Sequence, residues 1–248
     1  MGRVTVAGGK VGMEAPSGGI LASSLAIGST VKLMENGSAV EYLVVHNGNP
    51  NTSLYDSSCN GLWLLRKALH SSRTWDATNA DYANSDINTW LNGTFYNTLG
   101  SIERSAIKQV KVPYCSTVGN TMEKAVVSTG SSGFSTKVFL LTENEVGITS
   151  GYAKLLYVGA KLSYFGTGTG SSAANKRIGY YNGTATDWWL RVPCENAGWG
   201  VYAAGVSKVG TLVNTGLVYN YSKGVRPCVV LPSTAMFDAE TMILKGVT

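Results

Sequence analysis

The sequence predicts an α+β fold. Three observations carry this: a strand pair around Asn36-Gly37, two short amphipathic segments between Ser85 and Gln109, and a last third dominated by β-rich runs. That order differs from the strand–helix–strand alternation of a parallel sheet.

The totals agree. Of 248 residues, 44% are hydrophobic and only 14% charged, enough apolar material for a sizeable core and too much for a disordered chain. Thirty Gly, 13 Tyr and 6 Trp favour turns and strands over a helical bundle. The net charge of +5 comes from 20 basic and 15 acidic residues with no Lys/Arg run, so no nucleic-acid partner is expected. Cys59, Cys115, Cys194 and Cys228 lie far apart, without the CxxC spacing of a metal site. Free thiols are the favoured reading, with a single Cys194–Cys228 bridge left open. Val138–Leu141 and Val229–Leu231, the longest apolar stretches, are far below membrane-spanning length, so no membrane insertion is expected. The N-terminus lacks the pattern of a signal peptide. Reaching the outside would then require assembly into a particle, lysis or dedicated export.

Residues 1–27 read as a Gly-, Ala- and Ser-rich attachment arm, and 28–248 as one binding domain. Thr30–Val45 reads as a hairpin on Asn36-Gly37, and Asn-Gly recurs at Asn47, Asn60, Asn92 and Asn182. Ser85 is a candidate N-cap, with Ile87, Trp90 and Leu91 on one face and Gly93 as the stop. A second helix is expected over about 102–109, with Ile102, Ala106 and Ile107 on its apolar side. Lys111–Pro113 is extended, 116–136 reads as a polar loop, and 137–141 as a buried strand. Thr142 and Glu145 have the spacing of a capping box. Tyr152–Ser172 is loop-rich. Strands follow at Trp188–Val192, ending at Pro193, then at Gly200–Val206, Leu212–Tyr221 and Gly224–Leu231.

The stretches GSTVKLMENG…VEYLVV, SDINTWLNGTF, AIKQVKVPY, VFLLTENEVG, AKLSYF, WWLRVP and GVRPCVVLPS occur in this order over most of 28–235. Together they resemble a family of domains of unknown function from Firmicutes and their phages. The resemblance implies a C-type-lectin-like fold: two helices plus antiparallel sheets with long loops. It is also similar to variable proteins of diversity-generating retroelements, in which a tract near the C-terminus is rewritten between fixed anchors. Here the anchors would be Trp188–Pro193 and Gly224–Pro227, and the tract Cys194–Lys223. Val192 stands where the family commonly has Ser, and Cys228 where it has Ala.

The tract has the composition of a paratope. Trp199, Tyr202, Tyr219 and Tyr221 supply rigid amphipathic area, and Asn196, Ser207, Asn214 and Ser222 supply hydrogen bonds. Val201 and Leu217 complete the expected ligand-binding set. For Tyr219 and Tyr221, packing into a sheet core is an equal alternative. Trp188, Trp189, Arg191 and Arg226 are expected as scaffold: one Trp packed inward, the other flooring the face. The two Arg would lock loop carbonyls or a carboxylate such as Glu143 or Glu145.

Glu143, Glu145 and Asp187 lack the clustered oxygens of a calcium loop, so no metal and no cofactor are expected. His46 and His70 sit in no catalytic motif. The expected function is therefore a non-enzymatic binding and display protein on a virion, as a phage tail component, or on a bacterial surface. Its variable face would meet a cell-surface protein or glycan in host recognition, with 1–27 serving attachment or homo-oligomer formation. The alternatives are a formylglycine-generating-type oxidase using Cys194 and Cys228, and a purely structural virion component.

Overall fold

The computed structural model describes residues 18–77, 81–118, 121–149, 158–195, 201–213 and 221–248. The first element among the described residues is β1 (Gly19–Leu21), inside the segment expected as an arm. β2 (Thr30–Glu35) and β3 (Ser38–Gly48) form the expected hairpin. Asn36 and Gly37 both take positive φ, 48° and 77°, as a two-residue turn between right-twisted strands requires. β4 (Gly61–Arg66) carries five successive buried residues, and the two-residue β5 (Ser72–Arg73) follows.

Ser85 caps α1 (Asp86–Trp90), its side chain accepting from the Asn88 N–H at 3.3 Å. The stop expected at Gly93 does not occur. The helix continues through a π turn (Leu91–Phe95) into α2 (Tyr96–Thr98), and Asn92 supplies a reason. Its amide donates to the carbonyls of Asn88 and Val138, while its oxygen accepts from Thr136 Oγ1 and from the N–H groups of Lys137 and Val138. Asn92 thus ties the helix to the chain beside it, and Asn92-Gly93 is no turn.

The second expected helix shrinks to α3 (Ser101–Ala106). Ile102, expected on its apolar side, is 46% exposed, whereas Glu103 is buried and accepts from the Met34 N–H at 2.9 Å. The carboxylate is drawn inward to serve the end of the β2–β3 hairpin.

β6 (Val110–Val112), β7 (Tyr114–Val118), β8 (Thr121–Ser128) and β9 (Phe134–Thr136) come next. Most of the polar stretch expected as a loop is therefore strand, held by ladder hydrogen bonds that leave no apolar alternation to read. Val138–Leu141 is buried as expected, but makes only one bridge, Phe139 to Cys228, and no strand. After α4 (Ser171–Asn175), β10 (Gly179–Tyr181) and β11 (Thr184–Thr186) form a hairpin on Asn182-Gly183, at φ 48° and 79°. β12 (Trp188–Glu195) runs past Pro193, where it was expected to end; the pairing shifts between Trp189 and Pro193, and such an irregularity tolerates the missing N–H. β13 (Val201–Val206), β14 (Leu212–Val213), β15 (Lys223–Gly224), β16 (Cys228–Leu231), β17 (Ala235–Asp238) and β18 (Leu244–Val247) complete the chain.

Two sheets dominate, ordered β16-β4-β3-β2 and β14-β13-β12-β15-β5, and a third joins β1, β17 and β18. β4 sits between two apolar clusters. Leu62 and Leu64 face one, with Trp75, Phe95 and Trp189, while Trp63 and Leu65 face the other, with Phe139 and Trp188. This period-2 division explains why β4 reads as a continuous apolar run.

The α+β, C-type-lectin-like expectation is overturned. The described residues are predominantly strand, divided among several small sheets, with one helical run of 13 residues. The physical reason lies in the two misjudged segments: the second helix is cut to six residues, and the polar stretch after Tyr114 pairs as strands.

Candidate ligand-binding face

β12 and β13 are the strands that lead into and out of the 196–200 connection, and Arg191 holds β12 in place. Its guanidinium makes two 2.6 Å bonds to the two oxygens of Glu145, and both side chains are fully buried. The remaining donors reach the carbonyls of Leu140 at 2.6 Å and Pro113 at 3.0 and 3.2 Å. Tyr55 Oη donates to Glu145 at 2.8 Å and accepts from the Ala160 N–H. Glu145 Oε2 also accepts from the Thr142 N–H, and Thr142 Oγ1 accepts from the Glu145 N–H. That is the reciprocal capping box the spacing anticipates. Desolvation alone would weaken Arg191's hold on its proton, but the charge and hydrogen bonds of Glu145 outweigh it and raise the pKa above the ordinary arginine value.

Arg226 plays a different part. It is buried, donates to the carbonyls of Arg66 and Lys67 at 3.0 and 3.2 Å, and lies 5.3 Å from the Trp188 ring. Nη1 has no hydrogen-bond partner among the described residues. Burial lowers its pKa to about 10. The two arginines thus divide the expected roles, Arg191 holding a carboxylate and Arg226 a loop.

Glu143 is buried, and neither of its oxygens has a hydrogen-bond partner among the described residues. Desolvation raises its pKa to about 8; Arg191 and the amides of Glu143 and Val158, which approach without hydrogen-bond geometry, offset this only in part. Asp187 braces the sheet instead of a metal: Oδ1 accepts from the Lys208 N–H at 2.8 Å, and Oδ2 pairs with Lys223 at 3.5 Å. Among the described residues no group of three or more His, Cys, Asp or Glu side chains is placed to hold a metal ion.

Asn196, Trp199, Asn214, Leu217 and Tyr219 lie outside the described residues. Val201 and Tyr202 belong to β13, where Tyr202 pairs with Cys194 and Val201 with Glu195, but the side chains of these four lie outside the description. Tyr221 and Ser222 are exposed, Tyr221 by 56%, so Tyr221 is not packed into a core. Ser207 is not a free hydrogen-bonding group. Its Oγ meets Thr211 Oγ1 at 2.7 Å and accepts from the Thr211 N–H, closing a turn. Trp188 and Trp189 are both fully buried, one in each apolar cluster, so neither floors an exposed face as expected. Their indole N–H groups donate to the carbonyls of Arg177 and Arg73.

Cys59, Cys115 and Cys228 are free and buried, which removes the open Cys194–Cys228 bridge. Three residues of weight were not singled out from sequence. Tyr55 reaches Glu145 across 90 positions. Arg177 is buried and donates to the carbonyls of Val146, Gly147, Gly166, Gly168 and Gly210. Asn92 was read only as a turn. The glycine clustering at 147, 166, 168 and 210 is the one sequence signal that could have pointed to Arg177, since exposed carbonyls at tight turns suit a forked donor.

Fold and site together define a β-rich domain with a rigid, ionically braced framework; of the 194–223 tract, Val209, Tyr221 and Ser222 are exposed, whereas Ala203, Ala204, Val206 and Lys223 are buried. The chain belongs to a family of domains of unknown function, DUF6273, whose model matches residues 59–233. That range includes Glu145, Arg191 and Arg226 and omits the β2–β3 hairpin. No curated protein and no solved structure shows significant similarity to the chain. No helix among the described residues is long and apolar enough to cross a membrane.

Proposed function

We propose that this chain is a binding and display module that grips another molecule without transforming it, with residues 194–223 as the gripping face. One observation carries the reading. β12, which leads into that tract, is bolted by Arg191 to a fully buried Glu145, while Tyr221 and Ser222 near the tract's far end are open to solvent. A stiff base beside exposed groups such as Tyr221 lowers the ordering cost of binding.

The partner is a cell-surface protein or glycan, and the setting a phage tail or a bacterial surface. There many copies multiply weak contacts, and the residues ahead of β1 serve attachment. The composition of the tract fits a diversified segment. The oxidase alternative requires a reactive thiol at Cys228, and that thiol is fully buried with its pKa raised well above the ordinary value, chiefly by desolvation. This speaks against it.

The test replaces Trp199, Tyr202, Tyr219 and Tyr221 with Ala together and measures adsorption to host cells beside the thermal melt. Lost adsorption with an unchanged melt supports the reading; unchanged adsorption defeats it in favour of a purely structural component.

A further inference from the structure

A second surface lies where the start of β3, the turn after β4 and the β10–β11 hairpin meet. It is a groove of about 510 Å³ bounded by Ala39, Glu41, Lys67, Ala68, Tyr180 and Gly183. Its first wall is the start of β3. Val44 bonds toward the β2 side, exchanging hydrogen bonds with Gly28 and Ser29. By strand alternation Ala39 and Glu41 therefore turn their backbone polar groups the other way. β4 ends at Arg66, opposite Tyr42, so no strand faces Ala39 on the side away from β2. The Glu41 carbonyl takes the Lys67 N–H at 3.0 Å. The N–H and C=O of Ala39 and the N–H of Glu41 find no partner among the described residues, and they border the groove.

The second wall is rigid. Three successive carbonyls of the turn after β4 are held by guanidinium groups: Arg66 and Lys67 by Arg226, and Ala68 by Arg66 Nη1 at 2.8 Å. Arg66 is itself paired with Glu35 at 3.0 Å, and the Leu69 N–H donates to the Tyr180 carbonyl at 2.9 Å. On this fixed base stand the Tyr180 side chain, 48% exposed, and the Lys67–Glu41 pair at 3.0 Å, each about half exposed. Ala39, Ala68 and Gly183 are small and leave the space open; nothing lies within 4 Å of where a Gly183 side chain would begin.

We propose that this groove is a saccharide subsite that holds one neutral pyranose unit. An aromatic face accepts the apolar C–H side of a sugar ring. The carboxylate, the ammonium and the free backbone groups supply the acceptors and donors that ring hydroxyls require. The single Glu and single Lys balance, so the wall favours neither an anion nor a cation. The turn at Lys67–Ala68 closes one end of the open β3 edge, which suits a compact ring better than an extended peptide, since strand addition needs a longer free edge. This inference is independent of the proposed 194–223 face.

The test is saturation-transfer NMR on the full chain with the methyl pyranosides of glucose, galactose, mannose and N-acetylglucosamine at millimolar concentration. At least one should bind. Tyr180→Ala should weaken it roughly ten-fold, the scale of a lost aromatic stack, and Tyr180→Phe should retain it. Glu41→Gln and Lys67→Met should each weaken it several-fold, with unchanged thermal melts throughout. The proposal is overturned if none of the four binds, if binding survives Tyr180→Ala, or if binding is lost only on changing Tyr221 and its neighbours in the tract. It is also overturned if an extended peptide, and no glycoside, competes for the Tyr180 surface. Failure here leaves the display reading standing, because that reading is tested by adsorption and by different residues.

Discussion

Arg191 and Glu145 meet through two parallel 2.6 Å hydrogen bonds with neither side chain reaching solvent. Taking two charges out of water is costly, and their attraction offsets that cost only because the pair's own remaining lone pairs and donors are used. Tyr55, Thr142, Leu140 and Pro113 provide those partners.

Breaking the pair from one side leaves an uncompensated buried charge. Arg191→Met and Glu145→Leu should therefore each cost about 3–5 kcal/mol by chemical denaturation. The double variant Arg191→Met/Glu145→Leu should recover much of the loss, since apolar groups of similar volume carry no desolvation penalty. Additive losses would show that the two side chains act separately.

Glu143 gives a pH dependence of opposite sign to a salt-bridged carboxylate. Its folded pKa, about 8, lies above the ordinary 4.5, so between these values the folded chain keeps a proton that the unfolded chain has released. Stability should fall as pH rises through that window, by a few kcal/mol in total, and be spared below it. Glu143→Gln cannot ionise. It should melt near the parent at pH about 4.5 and above it at pH about 8; parallel curves for the two proteins would refute this.

Burial pushes the thiols of Cys59 and Cys115 up to about 12, and that of Cys228 well above its ordinary value. A thiolate-selective reagent should leave these three unmodified in the native protein and label them after denaturation. Mass spectrometry of the modified peptides resolves each site. Rapid native labelling of Cys228, or a change in it with Cu(I), would revive the oxidase alternative.

Asn92 accepts from two backbone N–H groups and a hydroxyl while donating to two carbonyls. Asn92→Ala should cost about 2–4 kcal/mol, because the partners left behind include part-buried backbone groups. Asn182, in an exposed hairpin turn, is the control. Asn182→Gly should stay within about 1 kcal/mol, since glycine also accepts positive φ.

Sequence by itself determined the features whose causes lie within a few residues. The Asn36-Gly37 and Asn182-Gly183 turns, the Ser85 cap and the Thr142–Glu145 box are local, so residue type and spacing suffice to read them. The suitability of Arg191 and Arg226 for forked bonding was legible for the same reason, whereas β4 was not read. Tertiary structure alone decided that Glu145 would be the partner of Arg191, that Tyr55 would join it from 90 positions away, and that Trp189 would be sealed. It also turned a polar stretch into β7 and β8 and carried the helix past Gly93 through bonds to Thr136–Val138. These outcomes depend on which distant segments meet, and burial makes an unmet polar group costly enough to override local preference.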